Sequence, residues 1–136
     1  MLDIRDLQVH YGKINALRGV GLRIDAGEIV TLIGANGAGK TTTLRTISGL
    51  IRPTAGAIEL EGRRIDGLDA GEIVRAGISH CPEGRQVFPR MTVLENLELG
   101  AYIRKDRQNL AADYDKVYSY FPILADRKSQ LAGTLS

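Results

Sequence analysis

Gly34, Gly37 and Gly39 fall within six positions, and Lys40 and Thr41–Thr43 follow directly, in the stretch LIGANGAGKTTTL over residues 32–44. So much bare backbone beside one fixed positive charge suits neither an ordinary strand nor an ordinary helix. The flanks show what encloses it. EIVTLI, Glu28–Ile33, is a short apolar, β-branched run and reads as a buried strand. Lys40–Leu50 reads as a helix, with Leu44 and Ile47 at helical spacing and Gly49 near its end. The glycines therefore occupy a strand-to-helix turn. There, successive backbone N–H groups point into one concavity, and the helix start adds free N–H groups and partial positive charge. Such a turn suits an anion with several oxygens.

The spacing narrows the choice. Gly34, four residues, then Gly39, Lys40 and Thr41 match the phosphate-binding loop pattern in full. In that pattern Lys40 reaches the β- and γ-phosphates and the Thr41 hydroxyl ligates Mg²⁺. The competing reading is a glycine-rich turn that matches by accident, and the strand before and helix after it argue against that.

Composition bounds the rest. The 136 residues, 43% apolar, suffice for one domain with a core. The net charge of +2 comes from interspersed signs. There is no basic stripe and no guanine-reading motif, so neither nucleic acid nor GTPase-type function is expected. The single cysteine, Cys81, forbids an internal disulfide, suits a reducing compartment and reads as a small buried apolar residue. No apolar run approaches the roughly 18 residues of a membrane span. MLDIRDLQVH lacks the basic start and apolar middle of a signal peptide, so the chain reads as cytoplasmic. His10 and His80 have no partner at metal-ligand spacing and receive no role.

Along the chain, Leu2–His10 alternates apolar and polar with one slip and reads as a strand. Tyr11–Lys13 is a turn, Ala16–Ile24 a second strand, and Asp25–Glu28 a tight turn. Ala57–Ile65 gives a strand and a hairpin-like return at Gly62. Asp69 caps a short helix through Ala76, which Gly77 ends, and Ile78–Cys81 is a brief strand. Pro82–Arg90 is a loop. Thr92 and Glu95 stand at capping-box spacing ahead of a helix with Val93, Leu94, Leu97 and Ala101 on one face. A second helix over 106–120 carries Leu110, Tyr114, Val117 and Phe121 at helical spacing, and Pro122 stops it. Tyr102, Tyr114, Tyr118 and Tyr120 read as packing residues. The expected division is a β-rich part with the phosphate loop over 1–91 and a helical lobe over 92–136.

These motifs in this order resemble the ATPase subunits of ABC transporters. VHYGKINALRGVGLRIDAGEIVTLIGANGAGKTTTLRTISGL resembles their start. CPEGRQVFPRMTVLENL resembles their glutamine loop and the entry to their helical subdomain, and LAGTLS resembles the run-in to their signature motif. Within that group the chain is similar to the ATP-binding subunit of bacterial branched-chain amino-acid importers. The resemblance covers essentially all 136 residues. It implies an α/β fold, the P-loop NTPase core of an ABC nucleotide-binding domain. That fold has an antiparallel β layer and the start of a helical subdomain, truncated before its second half.

The resemblance also implies ATP and Mg²⁺ as ligands. Tyr11 would stack on adenine, worth about 1–3 kcal/mol by analogy with base–aromatic contacts, although a plain turn tyrosine fits the same position. Gly34, Asn36, Gly37, Ala38, Gly39 and Lys40 would wrap the β- and γ-phosphates. Thr41 would ligate Mg²⁺ and Thr42 would contact the α-phosphate. Glu83 stands where most of the family has glutamine, near Mg²⁺ and the attacking water. It matches the Pro-Glu-Gly-Arg of the branched-chain importer branch, and a solvated loop carboxylate is its alternative. Lys40 and Glu83 are the catalytic candidates, and Leu135 and Ser136 begin the signature.

The implied partners are transmembrane permease subunits docking on the loop Pro82–Arg90, a second ATPase subunit, and indirectly a periplasmic binding protein. The implied place is the inner face of the plasma membrane. The two signature glycines, the strand ending in aspartate and glutamate, and the switch histidine do not occur in these 136 residues. The stretch is therefore expected to hold ATP without steady-state hydrolysis, and to self-associate, while the complete subunit is a transport ATPase. The alternatives are a non-hydrolysing ATP-binding module, or the ATPase of another importer such as one for urea or another small solute.

Overall fold

The computed structural model describes residues 1–84 and 86–135. They form two compact units, Met1–Cys81 and a second unit beginning at Pro82, a division ahead of the Met91–Thr92 boundary read from the sequence.

The first unit is built on a four-stranded antiparallel sheet of order β2-β1-β3-β4, comprising β1 (Leu2–Tyr11), β2 (Ile14–Ile24), β3 (Ala55–Leu60) and β4 (Arg63–Arg64). Strand β1 is central and carries the slip seen in its alternation. Ile4 pairs with Leu22 and Ile58, but Leu7 pairs with Val20 and Gln8 with Ala55, so β1 holds one extra residue against both neighbours. That residue is a β-bulge at Asp6, whose φ is +48°. Because side chains alternate with period two, the extra residue brings Leu7 and Val9 back to the face of Ile4. All three are buried.

The bulge is accommodated by glycine on both sides. Gly19 of β2 has φ +89° and Gly56 of β3 has φ +92°. A Cβ at Gly19 would sit 2.6 Å from the Asp6 carboxylate, and one at Gly56 would overlap Asp6 O and lie 2.7 Å from Arg5 O.

Helices α1 (Lys40–Ile47) and α2 (Ala70–Arg75) complete the core, where Ile47 and Ile73 join Ile4, Leu7, Val9, Leu17, Ile58 and Ile65. Each such side chain contributes about 1.5–3 kcal/mol by leaving water. The face that α1 buries is Thr43, Thr46 and Ile47, while Leu44, at helical spacing with Ile47, is 47% exposed. Helix α2 begins with the expected cap: Asp69 accepts from the Glu72 N–H at 2.8 Å and Glu72 accepts from the Asp69 N–H at 3.0 Å.

Two expected strands are absent. Residues 28–33 run toward the glycine turn without pairing to any described strand, and Ile29 and Ile33 are 98% and 93% exposed. Their pattern is that of a strand covered on both faces, and among the described residues nothing supplies the neighbours. Ile78–Cys81 is also unpaired, and Cys81 is exposed rather than buried.

The second unit contains α3 (Val93–Gly100), a 3-10 turn (Arg107–Asn109), α4 (Leu110–Tyr120), α5 (Pro122–Asp126) and a final 3-10 turn (Ala132–Thr134). Thr92 and Glu95 form the expected capping box. Glu95 accepts from both the Thr92 N–H and the Thr92 hydroxyl, and these bonds hold its carboxyl below the usual range. Pro122 ends one helix by starting the next, since proline costs nothing at a first helical position. Arg104 joins Asp106 and Asp113 across the α3–α4 connection. Tyr114 and Tyr118 are half-buried, but Tyr102 and Tyr120 are 73% and 67% exposed, so two of the four tyrosines do not pack. No helix among the described residues is long and apolar enough to cross a membrane.

Replacing Gly56 by Ala should cost about 2–4 kcal/mol, because both the left-handed φ and the bulge carbonyls oppose a methyl group. Gly62→Ala should cost only about 1 kcal/mol, since Gly62 also has positive φ (+79°) but open space around it. Urea unfolding of the two variants checks the ranking, and equal losses would show that the bulge contact is relaxed at no cost.

Candidate functional site

The turn from 34 to 39 is shaped by two left-handed glycines with different reasons to be glycine. Gly37 has φ +85° and a Cβ there would meet nothing within 4 Å, so the space above it is open. Gly39 has φ +94°, and a Cβ there would lie 2.5 Å from Leu17 Cδ2 and 3.2 Å from Ala16 O. Gly39 thus seats the start of α1 directly on β2. Between them, the Ala38 N–H closes a tight turn onto Ala35 O at 3.1 Å. The residue before Lys40 carries no capping side chain, and the first turn of α1 holds no acidic residue. The N–H groups of Lys40, Thr41 and Thr42 therefore present a partial positive charge without an internal anion.

The Lys40 ammonium lies over the turn. It donates to Gly34 O and, at 2.8 Å, to Ala35 O. An ammonium has three N–H donors. Two brace the loop carbonyls, and one is left for a ligand.

The three threonines divide by role. The Thr43 hydroxyl donates to Gly39 O at 3.0 Å and its side chain is buried. Thr41 is exposed and Thr42 half-buried, and neither hydroxyl has a partner among the described residues. A glycine cradle with open space, unsatisfied N–H groups, a spare ammonium proton and two spare hydroxyls fits a phosphate chain with its divalent ion.

The remaining candidates fall in different places. Asn36 and Ala38 are exposed on the turn. Tyr11 is 47% exposed at the tip of the β1–β2 hairpin, opposite Ile14. The same hairpin carries Ala16 and Leu17, on which Gly39 rests. Glu83 is exposed and belongs to the second unit, as do Val87 and Phe88, which are 44% and 55% exposed on the loop. Leu135 is half-buried and its N–H bonds Ala132 O. Arg85 of the loop and Ser136 of the signature start lie outside the described residues. Among the described residues no cluster of His, Cys, Asp and Glu could hold a metal by itself.

Residues 17–136 match the ABC transporter family. The chain belongs to that family. It is 46% identical, over all 136 residues, to the high-affinity branched-chain amino acid transport ATP-binding protein BraG of Pseudomonas aeruginosa, covering 58% of that protein. A nucleotide-free ATP-binding cassette from an ABC transporter superposes with a TM-score of 0.83 at 26% identity, over 99% of this chain and 58% of that one. An ATP-binding subunit of an ABC transporter gives 0.78 at 34% identity, over 99% and 55%. The chain thus spans a little over half the length of these members of the ABC transporter family, and its fold is that of their ATP-binding cassettes.

Two contacts of the site were not read from the sequence. The seat of Gly39 on Leu17 links residues 22 positions apart, and no local pattern announces it. The bracing of the loop by Lys40 follows from geometry alone. Because the Thr43 hydroxyl is an internal strut, Thr43→Ala should cost about 1 kcal/mol of stability. Thr41→Ala and Thr42→Ala should stay within about 0.5 kcal/mol of the parent. Urea midpoints for the three variants test the division, and a loss at Thr41 equal to that at Thr43 would contradict it.

Proposed function

We propose that the chain is the nucleotide-binding part of an ABC importer ATPase, holding ATP with Mg²⁺ on residues 34–42, and that the complete subunit drives import of branched-chain amino acids. The observation that carries this reading is the turn itself: left-handed glycines, an uncapped helix start, and a lysine with one donor to spare. The similarity, along all 136 residues of this chain, to a branched-chain amino acid transport ATP-binding protein supports the substrate class.

The roles follow from the donors present. The N–H groups of Gly37, Gly39, Lys40, Thr41 and Thr42 would bond phosphate oxygens, and Lys40 would add its third N–H to the β- and γ-phosphates. The unpaired hydroxyl of Thr41 would ligate Mg²⁺, with Thr42 on the α-phosphate. When bound, the ion supplies charge neutralisation at the phosphates. Asn36 and Ala38 serve through their backbone. Tyr11 would give adenine a flat apolar surface at the tip of the hairpin whose returning strand seats Gly39. Glu83, an acceptor when ionised, would bind Mg²⁺ or its water from the loop after residue 81. That loop, Pro82–Arg90, would dock on transmembrane permease subunits through Val87 and Phe88. Leu135 and Ser136 would open the signature that caps the nucleotide of a second ATPase subunit. The assembly would lie on the inner face of the membrane and serve a periplasmic binding protein indirectly.

Titration with ATP–Mg²⁺ tests the site. Lys40→Ala should weaken binding by about 1.5–3 kcal/mol, the value of a charge-assisted hydrogen bond. Tyr11→Ala should weaken ATP and ADP alike, while Tyr11→Phe should be nearly silent, since stacking uses the ring and not the hydroxyl. Unchanged titrations for Lys40→Ala would end the phosphate-loop reading, and unchanged ones for Tyr11→Ala would leave Tyr11 a turn residue.

A further inference from the structure

Asn96 sits inside α3, where asparagine is a poor helix former, and its amide is wholly engaged. Its Oδ1 accepts from the Phe88 N–H at 2.8 Å. Its Nδ2 donates to Phe88 O at 3.1 Å and Thr92 O at 2.8 Å, with Met91 O farther off at 3.4 Å. One side chain thus bonds both backbone groups of Phe88, as a neighbouring strand would, and Phe88 O accepts from the Met91 N–H at 3.1 Å as well. The contact also fixes how the amide is turned, because only its oxygen can accept from an N–H.

The loop is held from the following residues as well. The Ala132 N–H donates to Met91 O at 2.9 Å, and the Gly133 N–H to Pro89 O at 3.2 Å. Gly133 approaches so closely that a Cβ would lie 2.7 Å from Pro89 Cβ. At the first hold and just before it, the Phe88 and Val87 side chains stay 55% and 44% exposed. The backbone is pinned while the apolar side chains face water. That arrangement presents a contact in its bound shape and lowers the ordering cost of docking.

We propose that Asn96 is a positioning residue for partner docking: by clamping the backbone of Phe88 it holds the exposed phenyl ring ready for an apolar pocket on the transmembrane partner. The inference rests on the reading of Pro82–Arg90 as the docking loop. It adds the group that sets the loop's shape from outside the loop.

The test uses the complete subunit with Asn96→Ala, Phe88→Ala, the double variant, and Glu98→Ala as a control on an exposed position of α3. Three readouts are taken: hydrogen exchange at the Phe88 amide, ATP titration, and affinity for vesicles carrying the transmembrane permease subunits. Asn96→Ala should speed exchange of the Phe88 amide about tenfold and weaken vesicle binding about tenfold, with the ATP titration unchanged. Phe88→Ala should weaken vesicle binding similarly while its own amide stays protected, because the clamp holds backbone and not ring. The double variant should bind vesicles no worse than Phe88→Ala, since Asn96 acts through residue 88. Should Asn96→Ala not fold, Asn96→Asp serves, keeping acceptance from the Phe88 N–H while losing the donation to Phe88 O. Intact exchange protection in Asn96→Ala, or additive losses in the double variant, would overturn the proposal. If Phe88→Ala leaves vesicle binding unchanged, the docking reading fails and takes the proposal with it, while the exchange data would still record the clamp.

Discussion

One extra residue in the central strand decides which side chains the first unit buries. Without the bulge at Asp6, strict alternation from Ile4 would turn Asp6 and Gln8 toward the core and leave Leu7 and Val9 in water. The bulge reverses this for the second half of β1. The rest of the unit is arranged around it, with glycines on both flanking strands making room and Ile47, Ile58, Ile65 and Ile73 packing on the face it creates. The C-terminal half of β1 leads into the hairpin that bears Tyr11, and the returning strand offers Ala16 and Leu17 as the seat for Gly39. The placement of the glycine turn therefore descends from a register change in the strand that opens the sheet.

The turn is kept in shape by its own cation. Loop carbonyls facing a concavity would repel one another and any phosphate. The Lys40 ammonium lies against two of them, so the concavity is formed from N–H groups and one positive charge before any ligand arrives. In the second unit a neutral amide, Asn96, does the same for a different loop. In both places a single side chain satisfies backbone groups that no strand or helix claims.

Much of this was legible in the sequence wherever the signal is local. The glycine–lysine–threonine spacing, the Asp69–Glu72 and Thr92–Glu95 boxes and the turns at Gly12 and Gly62 each depend on residues a few positions apart. The structure forms the boxes and turns as read. What failed depends on distant partners. EIVTLI has the composition of a covered strand, but composition cannot supply neighbours, and among the described residues it has none. Residue type places Cys81, Tyr102 and Tyr120 in the interior, but type does not say which face is covered, and all three are exposed. The slip in β1 was visible as a break in alternation, although its meaning as a bulge needed the pairing of both neighbours. Asn96 carries a signal of its own, since an asparagine within an apolar helical run stands there against its propensity.

The tie between Lys40 and the two loop carbonyls also restricts what could stand in its place. A lysine ammonium is a compact charge whose three donors point to three separate corners, so it can face the loop and a ligand together. An arginine carries five donors, but all of them lie in one plane, so its partners must lie in that plane as well. Set at position 40, it would serve the carbonyls and the anion together only where all of them share the plane of the guanidinium. The charge alone is not what the turn requires; it is charge delivered in three dimensions from the end of a thin, flexible stem.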